Sequence, residues 1–231
     1  MSAFLRGLRH ALPFAVVVIP FGVLFGVVAT EAGLSVFEVQ AFSVAVFAGA
    51  SQFAALQLMQ DQAPLVVIIA TSLAVNLRLM MYSVAMAPHV GSAPLSIRAV
   101  MAYFLVDQSF AMSISEYERR PDMTVAERIG YFFGPVVVVT PLWFAATLAG
   151  AMAGQAIPAE YGLDFAVPIT FLALVAPMLR TAAHVAAAGV SVGGTLALVF
   201  MPYGTGLLVA AVAAMAVGVG VEMLQERRGQ A

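Results

Sequence analysis

PLVVIIATSLAVNLRLMMYSVAMAP, residues 64–88, is a stretch of 25 residues that carries one charge, Arg78. About 20 mostly apolar residues suffice for a helix to cross the hydrocarbon core of a bilayer. Wound at about 100° per residue, Ser72, Asn76 and Ser83 fall in one narrow stripe. Thr71, Arg78 and Tyr82 fall in a second stripe beside it, and Leu73, Leu77, Met80 and Val84 lie opposite. The apolar side suits lipid; the polar sector suits protein or a water-filled cavity. Such a helix calls for neighbours, and the rest of the chain supplies them.

The 231 residues are 62% hydrophobic and 10% charged, with a mean hydropathy of +0.99. A soluble domain of this size cannot cover such a core with so few charges. The net charge is −2, so no basic face for nucleic acid is implied. All ten cations are Arg, which removes the phosphate-binding P-loop lysine and lysine-based covalent chemistry. The absence of Cys removes disulfides, thiol nucleophiles and cysteine metal sites. His10, His89 and His184 are scattered without metal-ligand spacing, and no cofactor motif is present.

Eight apolar segments are expected to span, at about 11–31, 36–58, 64–88, 98–116, 127–150, 163–180, 182–201 and 203–223. The sixth is the shortest and contains Pro168 and Pro177, as two half-helices or a re-entrant segment would. Arg6 and Arg9 before the first segment resemble the start of a signal peptide. Its apolar run is long enough to span, however, so a retained first helix is expected. The expected fold is all-α, a polytopic transmembrane helix bundle with interrupted helices, forming one integral membrane transporter domain over residues 1–231.

Arginine placement orients the bundle. With a cytoplasmic N-terminus, Arg6, Arg9, Arg119, Arg120, Arg128, Arg180, Arg227 and Arg228 lie inside, Arg98 alone lies outside, and Arg78 is intramembrane. Both termini are then cytoplasmic. A parallel 4+4 repeat, 11–116 and 127–223, is suggested by two echoes. VVVIPF (16–21) resembles VVVVTPLW (136–143), and AGLSVFEVQAF (32–42) resembles YGLDFAVPITF (161–171). Gly-x-x-x-Gly pairs at Gly22/Gly26, Gly130/Gly134, Gly150/Gly154 and Gly189/Gly193 suit close helix packing inside the chain.

A charge at the bilayer centre costs roughly 2.5–3.5 kcal/mol on insertion scales. Arg78 in the third segment and Asp107 in the fourth incur it. Antiparallel neighbours joined by a short loop would bring both to nearly the same depth, so a mutual ion pair is expected. Tyr103 and Asp107 share a face at the i,i+4 spacing. The pair reads either as a clamp between helices or as part of a transport pathway.

FAGASQF, residues 47–53, raises a second question, because Gln52 has four hydrogen-bonding sites in an apolar run of small residues. A helix broken near Gly49–Ser51 would point free N–H groups into the protein, where they bind anions such as a carboxylate. Ser51 would cap the half-helix and Gln52 would bond the same ligand. Pro20 would interrupt the first helix comparably, and Pro168 the sixth. The alternative is tight packing, with Gln52 bonding a neighbouring carbonyl.

IPFGVLFG, FAGASQF, NLRLMMYS, FLVDQSF and GLDFAVPITF, in this order, resemble the AzlC-type branched-chain amino acid permease family over nearly the whole chain. The resemblance implies the large subunit of an exporter in the bacterial cytoplasmic (inner) membrane, a small AzlD-type membrane partner, and export of amino acids such as valine and isoleucine. Two titratable groups common in that family are absent: Leu79 follows Arg78 where His is usual, and Gln108 follows Asp107 where Glu is usual.

The expected site takes a zwitterionic amino acid near the midplane. Its carboxylate meets the half-helix N-terminus at Ser51–Phe53 or Arg78, while Asn76 and Asp107 take the ammonium. Phe21 and Phe53 form an apolar wall, and Pro20, Gly49, Ser51, Gln52, Tyr82 and Asp164 complete the set. Asp107 is also the candidate for proton linkage. Two other classes remain: an intramembrane serine hydrolase built on Ser51 and His184, and a channel or structural membrane subunit.

Overall fold

A computed structural model describes residues 2–154, 179, 181–201 and 205–229, with side chains through Gln225. Every regular element among them is helical: α1 (Ala3–Ala11), α2 (Ala15–Glu31), α3 (Val36–Ala45), α4 (Gly49–Gln60), α5 (Leu65–Val90), α6 (Leu95–Tyr103), α7 (Asp107–Arg119), α8 (Val125–Gly154), α9 (Ala182–Ala197) and α10 (Thr205–Gly229). Among the described residues, four stretches are long and apolar enough to cross a membrane: Ala3–Glu31, Leu65–Val90, Val125–Gly154 and Thr205–Gln225. The sixth expected segment, with Asp164, Pro168 and Pro177, lies outside the described residues.

The chain divides into two compact units, Met1–Phe53 with Val75–Gly162, and Ala54–Ala74 with Leu163–Ala231. In the second, α9 starts at Thr181, whose side chain accepts from the His184 N–H at 3.2 Å. It pairs antiparallel with α10 through small residues, Gly194 beside Ala210 and Gly218 beside Ala187.

The frame of the first unit is a parallel pair. The α1–α2 rod runs alongside α8, Gly7 on Tyr131 and Pro135, Gly22 on Ala146, Gly26 on Thr147 and Gly150, and Gly154 on Val27 and Thr30. Backbone meets backbone wherever glycine removes the side chain. Thus three of the four Gly-x-x-x-Gly pairs contribute to packing within the chain, whereas Gly189 and Gly193 face nothing within 4 Å. α2 continues through Pro20, which is exposed, so the expected interruption there is absent. Proline removes one backbone bond, and a membrane helix tolerates that. α2 ends in a Schellman motif: Leu34 N donates to Ala29 O, Gly33 N donates to Thr30 O, and Gly33 adopts φ 92°.

The second and fourth expected spans, 36–58 and 98–116, are not single helices. α3 opens with a Ser35–Glu38 capping box and stops at Val46, where φ and ψ are −128° and 85°. α4 begins at Gly49 and doubles back. Residues 42 and 53 of one straight helix would be about 16 Å apart along its axis. Here the Phe25 ring meets both, Phe42 at 5.9 Å and Phe53 at 5.4 Å. Gln52 Nε2 also donates across the fold to Ser43 Oγ at 3.1 Å.

The α6–α7 segment turns in the same way. From α5 to α7 the contacts rise together: Arg78 with Asp107, Tyr82 with Phe110, His89 with Tyr117. α7 is therefore parallel to α5, so α6 and α7 form a hairpin that enters and leaves at one end. Arg128 Nη1 donates to His89 O at 3.2 Å, tying the first turn of α8 to the end of α5. At the same end Glu116, its side chain 1% exposed, pairs with Arg6 at 3.3 Å, with Arg120 at 3.4 Å and with Arg119. This corrects the arginine tally. Arg98, the lone outside cation of the eight-span reading, lies in α6 towards the end that holds Arg6, Arg119, Arg120 and Arg128.

In a bilayer, single cysteines at Ser96, early in α6, and at Asp122, before α8, should react with an impermeant thiol reagent from the same face. The chain has no native Cys to interfere. Labelling from opposite faces would mean that residues 95–119 cross.

Candidate functional site

The two hairpin tips meet. Residues 46–48 interrupt α3 and α4, and residues 104–106 interrupt α6 and α7. The Phe47 ring lies 6.2 Å from Tyr103 and 6.0 Å from Phe104. Within a continuous helix the Val44 carbonyl would accept from Ala48 N–H, but that N–H turns to Val46 O at 2.8 Å. Tyr103 Oη donates to the vacated Val44 oxygen at 2.6 Å. The break thus creates an open acceptor, and the other hairpin fills it. Tyr103 and Asp107 do not share a helical face as expected, because the break falls between them.

The break also places Asp107 as the first residue of α7. A half-helix start carries partial positive charge, so a carboxylate is favoured there. Ser109 holds the turn: its Oγ accepts from Val106 N at 2.9 Å. Arg78 Nη1 meets Asp107 Oδ2 at 3.1 Å, and Tyr82 Oη donates to Asp107 Oδ1 at 3.0 Å. The expected ion pair is present, and it is open: the side chains are 35% and 45% exposed. Arg78 Nε and Asn76 Oδ1 are buried without a partner. Such unsatisfied atoms are uncommon in finished packing and mark places where a ligand or water belongs.

Beside the other tip, Gly49 starts α4 against aromatic rings. A Cβ there would meet Phe21 Cε1 at 2.9 Å and Trp143 Cη2 at 3.1 Å. Phe21 lies 5.0 Å from Phe53, and Trp143 stacks on Phe25 at 6.1 Å. Gln52 and Ser51 are fully buried. Gln52 Oε1 has no partner, although its amide nitrogen bonds Ser43. Ser51 does not cap the half-helix; it is the third residue, and its Oγ donates to Ala48 O at 3.0 Å. That bond also occupies the proton of the proposed hydrolase nucleophile. His184 belongs to the second unit.

The structure therefore brings Arg78, Tyr82 and Asp107 together, and gathers Phe21, Gly49, Gln52 and Phe53 beside the neighbouring tip. Pro20 lies exposed within an unbroken α2, and Asp164 lies outside the described residues. Trp143, with Nε1 unpartnered, and Thr147, with Oγ1 unpartnered, belong near this region but were not singled out from sequence. As the lone Trp, Trp143 was the available signal. Among the described residues no group of three or more His, Asp or Glu could hold a metal ion.

A family model described as AzlC protein matches residues 13–157, well over half of the chain and including both hairpins. An uncharacterized membrane protein of Archaeoglobus fulgidus is 32% identical over 203 residues, covering 86% of this chain and 85% of that protein. Inner membrane protein YgaZ of Escherichia coli is 28% identical over 177 residues, covering 74% and 71%. An uncharacterized membrane protein of Helicobacter pylori is 26% identical over 179 residues, covering 75% and 76%. No solved structure matches.

Proposed function

We propose that this chain, which belongs to the AzlC family of membrane proteins, is the large subunit of a secondary transporter that exports branched-chain or related small amino acids. One observation carries the reading. Two helix interruptions meet tip to tip, with an open Arg–Asp pair at the start of one half-helix and an aromatic wall at the start of the other. Interrupted helices that expose backbone dipoles at mid-depth are the device by which transporters hold charged small molecules.

A zwitterion has two charges to place. Arg78 Nε and the α4 N-terminus offer donors to a carboxylate. Asp107 and Asn76 Oδ1 offer acceptors to an ammonium. Phe21 and Phe53 offer an apolar surface to an aliphatic side chain. Leu79 and Gln108 leave the site without further titratable groups from those positions, so proton linkage falls to Asp107. Asp164 completes the set.

The name of the YgaZ relative supports placement in a bacterial inner membrane. The cluster of arginines at one end supports a cytoplasmic N-terminus. We further propose that residues 1–231 form one transporter domain with both termini cytoplasmic, working beside a small AzlD-type membrane subunit. Efflux of labelled valine and a panel of other amino acids, from cells with and without that subunit, tests the function. Substrate-dependent efflux is expected with the pair; none in either case removes the exporter reading.

A further inference from the structure

We propose that the cavity between α5 and α6 is the vestibule through which substrate reaches the Arg78–Asp107 pair, and that Arg98 is its carboxylate receptor. This inference rests on the transporter reading. The cavity measures about 360 Å³, within the roughly 300–1,000 Å³ of small-molecule sites. Ser83, Met86 and Val90 of α5 form one wall, Met101 of α6 and Leu105 of the turn after it the other, and Phe132 of α8 the back. These apolar wall residues are well packed, Phe132 completely.

Two features give the cavity a direction. Arg98 lines it, is exposed, and has no hydrogen bond or ion pair among the described residues. From Gly91, just past α5, to Ser83 within it is a step of eight residues, about 12 Å at helical rise. The Ser83 end adjoins Tyr82, which bonds Asp107, and Leu105 lies two residues before Asp107. The cavity therefore runs from the Arg98 guanidinium to the edge of the proposed site.

Its chemistry selects a class. A lone guanidinium recognises a carboxylate. Methionine and leucine walls adapt to compact aliphatic groups. No acid lines the cavity, so an ammonium finds its partner only beyond it, at Asp107. The ligand is a carboxylate on a small branched aliphatic group, and an amino acid or a short fatty acid would both enter.

The chain without native Cys permits a direct test. Ala102 lines the cavity, and Ala102→Cys is a small change. The variant is co-expressed with the small subunit and treated with an impermeant methanethiosulfonate reagent from the face that holds α6. The expected result is labelling that blocks efflux and that valine or isovalerate slows. Isobutylamine, lacking the carboxylate, gives no protection. Arg98→Gln should raise the half-saturating valine concentration about tenfold or more, with Arg98→Lys partly restoring it.

Equal labelling with and without valine or isovalerate, in a protein that still exports, overturns the vestibule and leaves the exporter reading intact. Equal protection by isobutylamine overturns the role of Arg98. Labelling abolished by the small subunit, whatever ligand is present, makes the cavity a subunit contact and also overturns the proposal. If the wild-type pair moves no amino acid, the exporter reading fails, and the protection assay still decides whether the cavity binds carboxylates.

Discussion

Asp107→Asn should leave a folded protein that no longer exports at a useful rate. The substitution keeps shape and one acceptor but removes the charge opposite Arg78, 3.1 Å away. Hydrogen bonds to charged groups are worth about 1.5–3 kcal/mol, so a ligand ammonium deprived of the carboxylate loses roughly 10- to 100-fold in transport. Stability should change far less. The amide oxygen can still accept from Tyr82 or Arg78, and where water fills the proposed site a pair 35% and 45% exposed contributes only about 0.2–1 kcal/mol. The measurement is a pair of readings on one preparation, efflux rate and thermal midpoint in detergent. Loss of both together would mean that the pair is a structural clamp. Tyr82→Phe, which removes the 3.0 Å bond to Asp107 but no charge, should reduce efflux less than Asp107→Asn.

Gly26→Ala and Gly150→Ala should each prevent accumulation of folded protein. A methyl group at Gly26 would overlap Thr147 O and lie 2.5 Å from Ala151 N; one at Gly150 would overlap Val23 O. Every one of these obstacles is backbone, which cannot rotate aside as a side chain does. Overpacking costs about 1–3 kcal/mol where side chains can yield, and more is expected here. Helix propensity argues the other way, since Ala outranks Gly by about 1 kcal/mol in a helix interior. At Gly189, with open space around it, propensity should win and Gly189→Ala should be neutral or stabilising. Yield of monodisperse protein after detergent extraction separates these cases. Equal yields for Gly26→Ala and Gly189→Ala would contradict the α2–α8 packing.

The class of fold was legible because composition alone requires lipid around the chain. The Arg78–Asp107 pairing and a break in the second segment were legible too, since isolated charges and glycine in apolar runs have few tolerable arrangements. The direction of the chain after each break was not. An apolar run has the same pattern whether it crosses or returns, because periodicity reports which face is buried and not where the far end goes. Length offered a hint: α6 has nine residues, about 13 Å, far short of a 30 Å core. Two residues carried the missing information. Asp107 is a favoured type for a helix start, and Arg98 was the single cation that the eight-span reading placed on the unfavoured side. Pro20 misled in the opposite sense, because proline permits a break without requiring one.

Trp143 gives the protein a built-in optical probe. Only one indole is present in the whole chain, and it stacks against Phe25 and touches the position where α4 begins. Its emission wavelength and quenching therefore come from a single known spot, free of the overlapping signals that blur most membrane proteins. Titrating unlabelled purified protein with amino acids in a fluorimeter would report on that spot without any engineered dye.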